Sequence, residues 1–215
     1  ARAHDDGGLE VGVVRVSGDC ALNKSGDRIC FLGVAGISEQ IHLAACAATG
    51  LVVHTHSGEA DFGAYGENVA MYISEVPFWT HRILWQLLFS GKFDKYPNLR
   101  YAVVECGSYW IGDLLWKADV NFGASFKVKK MGSRMKGLIT RLPSEYFGTN
   151  VFIGASTMSR EEVRRRHVNG VDALMWGTDY PHPEGSWPNT RARLKNDFAD
   201  ATVEDTRRLL GLNAI

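Results

Sequence analysis

Residues 173–183 have the sequence ALMWGTDYPHP, and this stretch decides how the rest of the chain is interpreted. A short apolar run bounded by Gly and Pro is typical of a buried strand. Pro181 and Pro183 lack the backbone N–H that a strand ladder needs, so the strand has to end before them. Asp179 and His182 therefore lie where a buried strand opens into a loop, which is the edge that carries catalytic groups in α/β barrels. The alternative is that Asp179 only stabilises a turn.

Three further apolar runs end in polar residues in the same way. They are residues 51–58 (LVVHTHSG), residues 99–107 (LRYAVVECG) and residues 151–156 (VFIGAS). Helical patterns separate the runs, and strands that are joined by helical crossovers form a parallel sheet. We therefore predict adjacent parallel strands, each followed by an outer helix, at residues 51–56, 100–105, 151–155 and 173–178. All their polar ends then lie on one edge, because parallel strands point the same way.

The helical patterns carry their own start signals. Ser159 is followed three residues later by Glu162, which is the capping-box pattern of a helix N-terminus. Pro77 lies early in a long amphipathic pattern that extends to Ser90. Since Pro is tolerated in the first turn, its position predicts that this helix begins there.

Composition excludes several classes of partner. The chain has 215 residues, of which 45% are apolar, and its 24 basic residues balance its 24 acidic ones. A neutral chain gives no electrostatic reason to expect nucleic acid or an anionic membrane, and no run approaches the ~20 apolar residues of a membrane span. The four cysteines show no C-x-x-C spacing, which favours a cytoplasmic protein with reduced thiols. We expect a small-molecule substrate, and homo-oligomer formation stays open.

Four motifs give the chain a family resemblance from about residue 44 onward. They are residues 53–58 (VHTHSG), 96–100 (YPNLR), 142–147 (LPSEYF) and 175–184 (MWGTDYPHPE). Together they resemble the amidohydrolase-related family that includes aminocarboxymuconate-semialdehyde decarboxylase. The resemblance implies an α/β fold, the (β/α)8 TIM barrel of metal-dependent hydrolases, of which strands 5 to 8 are clear in this chain.

The resemblance also implies a set of site residues. His56 and Asp179 correspond to ligands of a divalent metal, most often zinc, and Asp179, Glu105 and His182 are the candidate catalytic groups. Zinc accepts imidazole nitrogen and carboxylate oxygen and lowers the pKa of a bound water toward ~7. His54 lies on the same strand face as His56 but one layer lower, because strand side chains repeat every second residue.

Two aromatic residues follow the strands that carry the site. Trp110 and Trp187, together with His54, are the candidates for substrate contact. The alternative for either tryptophan is simple packing between helices.

Two departures from the family pattern matter. Glu105 stands where the decarboxylases carry a histidine, and no His-x-His precedes a first helix. We therefore interpret residues 1–40 as an atypical or aberrant segment and residues 41–215 as the carboxy-terminal part of an incomplete barrel. The expected function is a metal-dependent hydrolase that acts on a small carboxylated or cyclic substrate through metal-activated water. The alternatives are a decarboxylase of the same family and an inactive barrel fragment.

Overall fold

One parallel sheet forms the centre of the molecule. The computed structural model describes residues 14–15, 37–57, 62–66, 68–125 and 139–215. Within them, five strands are hydrogen-bonded in the order of the sequence, and every pair is parallel. The strands are β1 (Val14–Arg15), β2 (Val52–His56), β3 (Arg100–Val104), β4 (Val151–Gly154) and β5 (Leu174–Met175). The prediction of adjacent parallel strands at β2 to β5 is confirmed.

Helices follow the strands as the α/β prediction requires. They are α1 (Ile37–Thr49), α2 (Val69–Phe89), α3 (Lys92–Lys95), α4 (Ile111–Ser125), α5 (Arg160–Arg164), α6 (Arg166–Asn169), α7 (Thr190–Asp197) and α8 (Val203–Leu210). Short 3-10 turns lie at Phe62–Tyr65, Pro143–Tyr146 and Leu212–Ala214. None of the helices in the described residues is long and apolar enough to cross a membrane.

The two faces of the sheet differ in burial. Residues of one face are fully buried in the same core cluster as the apolar residues of α2 and α4; they include Tyr101, Val103, Val151 and Ile153. His54 and His56 alternate with the buried positions of β2 and so belong to the opposite face. The register pairs His56 with Val104, and Val104 with Gly154, so the carboxyl ends of the strands lie side by side.

The helix α2 begins two turns earlier than the position of Pro77 predicts. It starts at Val69, where the Asn68 side chain accepts a hydrogen bond from the Met71 backbone N–H, and Pro77 lies inside it. The prediction of a start at Pro77 is therefore wrong. The helix continues through Pro77 because Asn68 caps its first turn and because residues on both sides of the proline, such as Val76 and Thr80, are buried against the core.

The strand β5 is shorter than the predicted segment of residues 173–178. The strand ends at Met175: the Gly177 N–H reaches the carbonyl of Ser156 only at 3.5 Å. The Trp176 N–H, on the strand edge away from β4, donates to the carbonyl of Leu209 on α8 at 2.8 Å. The residues that follow can thus turn away from the sheet before Asp179.

Most of the amino-terminal segment lies outside the described residues. Within it, Val14–Arg15 pairs in parallel with β2, and residues 37–40 form the start of α1. The prediction that residues 1–40 form an aberrant segment of an incomplete barrel otherwise falls outside the described part of the chain.

Candidate active site

Four polar side chains form a row along the carboxyl edge of the sheet. The Nδ1 atom of His56 lies 3.3 Å from Oε2 of Glu105. The carboxyl of Glu105 is within hydrogen-bonding reach of Asp179, and Oδ2 of Asp179 lies 3.5 Å from Nδ1 of His182. The structure thus brings together the imidazole at the end of β2, the carboxyl after β3, and the carboxyl and imidazole after β5.

The two carboxyl groups are placed by unusual backbone conformations. Glu105 has a φ of 60° and Asp179 a φ of 59°, and Ser156 after β4 is also positive at 24°. Residues other than Gly rarely adopt this left-handed region, which costs about 1–3 kcal/mol. Such strain persists only where the surroundings enforce it, and it concentrates at functional sites.

The surroundings of Glu105 raise the pKa of its carboxyl. Burial raises the pKa of the Glu105 carboxyl above its ordinary value, and the hydrogen bond and negative charge of Asp179 raise it further. The neighbouring His56 and His182 oppose this shift. Repulsion between two adjacent carboxylates thus favours the protonated form of Glu105.

The contacts of His56 identify its tautomer. Its Nδ1 lies 2.9 Å from the Ser57 carbonyl oxygen and 3.3 Å from the Glu105 carboxyl. The Ser57 carbonyl can only accept a hydrogen bond, so in the neutral ring Nδ1 carries the hydrogen. Nε2 is then the nitrogen with a lone pair, as in a metal-binding histidine whose other nitrogen donates to a carbonyl or carboxylate.

Exposure differs between the acids and the imidazoles. The side chains of Glu105 and Asp179 are 26% and 18% exposed, whereas those of His56 and His182 are 45% and 54% exposed. The carboxyl groups are therefore covered and the imidazoles face solvent. A small molecule that approaches this edge meets the imidazoles first.

The donor set suits a divalent ion in kind but is incomplete in number. Imidazole nitrogen and carboxylate oxygen are both zinc ligands, and a catalytic zinc normally takes three protein ligands. Among the residues that the structure describes, no three His, Cys, Asp or Glu side chains are arranged to hold an ion. His56 and Asp179 supply two side chains of kinds that zinc accepts, one fewer than a catalytic zinc normally takes.

The three candidates for substrate contact lie in different surroundings. Trp110 is buried: it stacks on His81 with ring centroids 4.2 Å apart, and its indole N–H donates to the carbonyl of Cys106. This environment matches the alternative role of packing. Trp187 is 67% exposed and lies edge to face with Tyr180, an exposed aromatic neighbour that sequence reasoning missed. His54 pairs in register with Ala102, one layer further from the strand end than His56.

A parallel α/β sheet with imidazoles and carboxyl groups at its carboxyl edge defines the class of this protein. The model of the amidohydrolase family matches residues 42–215, and the chain belongs to that family. This result confirms the predicted family and, with the parallel sheet, the predicted fold class. No curated protein sequence matches the chain significantly.

Solved structures share the fold at low sequence identity. An amidohydrolase from Mycobacterium avium subsp. paratuberculosis has a TM-score of 0.65 and 20% identity, and the match covers 83% of this chain and 44% of that one. 5-Carboxyvanillate decarboxylase from Sphingomonas paucimobilis has a TM-score of 0.60 and 23% identity, with 79% and 50% covered. A dihydroxybenzoic acid decarboxylase from Polaromonas sp. JS666, solved with manganese and 2-nitroresorcinol, has a TM-score of 0.61 and 17% identity, with 83% and 53% covered. The chain spans about half the length of these structures.

Proposed function

We propose that this protein is a metal-dependent enzyme of the amidohydrolase family that hydrolyses a small carboxylated or cyclic substrate. The observation that carries the proposal is the row of His56, Glu105, Asp179 and His182 on one sheet edge. The family match supports it. If these residues only ended their strands, their side chains would not need to contact one another. The contacts among two carboxyls and two imidazoles therefore favour a functional site.

Each member of the row has a proposed role. His56 offers Nε2 and Asp179 a carboxylate oxygen to a divalent ion, for which we favour zinc; manganese, which the Polaromonas structure contains, is the competing ion. When bound, the ion would act as a Lewis acid and activate a water nucleophile. The raised pKa of Glu105 suits its carboxyl to exchange a proton with the reacting group, and His182 orients Asp179 or carries the proton to solvent. Trp187 and His54 remain proposed substrate contacts.

Decarboxylation is the second candidate function. The names of two of the similar solved structures describe decarboxylases of substituted benzoic acids. In this reaction the carbon that loses CO2 must gain a proton, and the raised pKa of Glu105 makes its carboxyl a suitable donor. Two assays separate the two reactions. One offers ester, amide and lactone substrates and detects hydrolysis. The other offers aromatic carboxylates and detects CO2.

The metal assignment is tested by direct metal analysis. The purified chain should bind Zn²⁺ or Mn²⁺ with one site per protein, as measured by isothermal titration calorimetry and elemental analysis. His56→Ala and Asp179→Ala should each abolish this binding and any metal-dependent turnover, because each removes a ligand. The control His54→Ala should retain the metal and mainly lower stability. A chain that binds neither ion would identify it as the inactive fragment.

The proposed compartment is the cytoplasm. Cys46 and Cys106 are the cysteines within the described residues, and both are buried as free thiols. Free thiols are typical of reducing compartments.

A further inference from the structure

The loop of residues 178–186 folds back on itself immediately after Asp179. The Ser186 N–H donates to the carbonyl of Thr178 at 2.9 Å, and the Ser186 hydroxyl donates to the same oxygen at 3.4 Å. Inside this closure, the His182 N–H donates to the Asp179 carbonyl at 2.8 Å, and the Gly185 N–H donates to the His182 carbonyl at 3.0 Å. The two ends of the loop are thereby joined, and the backbone of Asp179 lies within the joined segment.

Gly185 permits this closure because it has no side chain. A Cβ atom at this position would lie 2.8 Å from the carbonyl oxygen of Thr178, 2.9 Å from that of His182 and 3.0 Å from that of Asp179. All three are backbone atoms, which cannot move away without opening the loop. Close approach of backbone groups is a common reason for a glycine.

Ser186 anchors the loop to the rest of the molecule. It is 2% exposed, whereas residues 180–184 and 187–189 are exposed. Its hydroxyl also lies 3.0 Å from that of Thr190, the first residue of α7. Burial of a hydroxyl costs free energy unless it forms hydrogen bonds, and Ser186 forms its two only in this geometry. Ser186 therefore holds the otherwise exposed loop in place.

We infer that Gly185 and Ser186 are positioning residues that hold Asp179 in the left-handed conformation in which its carboxyl meets Glu105. The strain at Asp179 requires surroundings that enforce it, and the closed loop provides them through the carbonyls of Thr178 and Asp179. The inference rests on the proposed function only for the role of Asp179 in metal binding.

The backbone conformation of Asp179 can be measured without any ligand. In NMR spectra of the full chain, the intraresidue NOE between the amide and α protons is strong at positive φ and weak at negative φ. We expect a strong NOE at Asp179 in the unmodified chain and a severalfold weaker one in Gly185→Ala, because the added methyl group displaces three carbonyls. The matched control is Gly123→Ala on α4, where a Cβ meets no heavy atom within 4 Å; it should leave the NOE unchanged.

Two further measurements complete the test. Ser186→Ala adds no atoms, so it decides the question if Gly185→Ala does not fold: a weakened Asp179 NOE supports the inference. An unchanged NOE in Ser186→Ala or in a folded Gly185→Ala overturns it. Mn²⁺ titration forms a separate arm, in which loss of loop support should weaken binding about tenfold. If the unmodified chain binds neither Zn²⁺ nor Mn²⁺, the metal assignment fails while the NOE result still stands.

Discussion

At the scale of single residues, His81 shows what burial does to an imidazole outside the site. It is 4% exposed, its ring stacks on Trp110, and its Nδ1 accepts a hydrogen bond from the Trp85 indole at 3.1 Å. Its Nε2 has no hydrogen-bond partner in the part of the chain that the structure describes. Burial lowers the pKa of His81 from 6.5 to about 4, so the folded protein keeps this residue neutral.

This burial predicts a loss of stability at acidic pH. Between pH 6.5 and about 4 the unfolded chain binds a proton at His81 and the folded chain does not. The contribution is fully present above pH 6.5 and is lost as the pH falls, by about 3 kcal/mol at most. Urea unfolding across this pH range should show the slope, and His81→Phe should reduce it.

The control for this prediction is His167→Phe. The side chain of His167 is 61% exposed, so its replacement should leave the acid slope largely in place. If His81→Phe and the unmodified chain lose stability in parallel as the pH falls, the slope has another origin.

At the scale of elements, the Glu162 side chain links the segment that follows β4 to the turn that follows β3. The sequence alone does not show that these two segments are in contact. One carboxylate oxygen accepts hydrogen bonds from the Ser159 N–H and hydroxyl, both at 2.9 Å, which is the predicted capping box of α5. The other oxygen accepts from the N–H and hydroxyl of the buried Ser108, at 2.7 and 3.0 Å, in the turn after β3. The capping box was predictable because its residues are three apart. The contact with Ser108 was not, because it depends on β3 and β4 being neighbours.

Removal of this carboxylate should therefore cost more than a helix cap alone. Glu162→Ala leaves the N–H and hydroxyl of buried Ser108 without this carboxylate and removes the side-chain half of the capping box, and we expect a loss of about 2 kcal/mol in the free energy of unfolding. Glu161→Ala changes the adjacent residue, whose side chain is 69% exposed, and should cost less than about 0.5 kcal/mol. Chemical denaturation measures both, and equal effects would show that the contact with Ser108 contributes little.

At the scale of the whole molecule, stability should be greatest in the middle of the sheet. The strand β3 pairs with β2 on one side and β4 on the other, and its Tyr101 and Val103 are fully buried. Within the described residues β5 pairs with β4 alone.

Hydrogen exchange should follow this order. Amides of β3 and β4 should exchange only through global unfolding, and those of β5 through smaller openings. Mass spectrometry of peptides from each strand gives the rates. Equal protection of β5 and β3 would contradict this order and would indicate that the bonds from Trp176 to Leu209 and from Asn213 to Leu174 protect the outer edge of β5.

The sequence by itself determined the alternation of strands and helices and the edge on which the polar residues lie. Hydrophobic period is a local property, and strands joined by helical crossovers all point the same way. Thus His56, Glu105 and Asp179 could be assigned to one edge, and the family motifs could be recognised, before any contact was known.

Only the tertiary structure decided which of these residues meet and what surrounds them. The contact between Glu105 and Asp179 occurs with left-handed backbone at both positions, and no local pattern encodes that strain. The packing of Trp110 against His81 and the closure of the loop at Gly185 depend equally on neighbours brought together by the fold. The spacing of residues in the sequence shows the periodicity of a single helix or strand. The site depends on distances between residues of different elements, and the packing of the elements sets those distances.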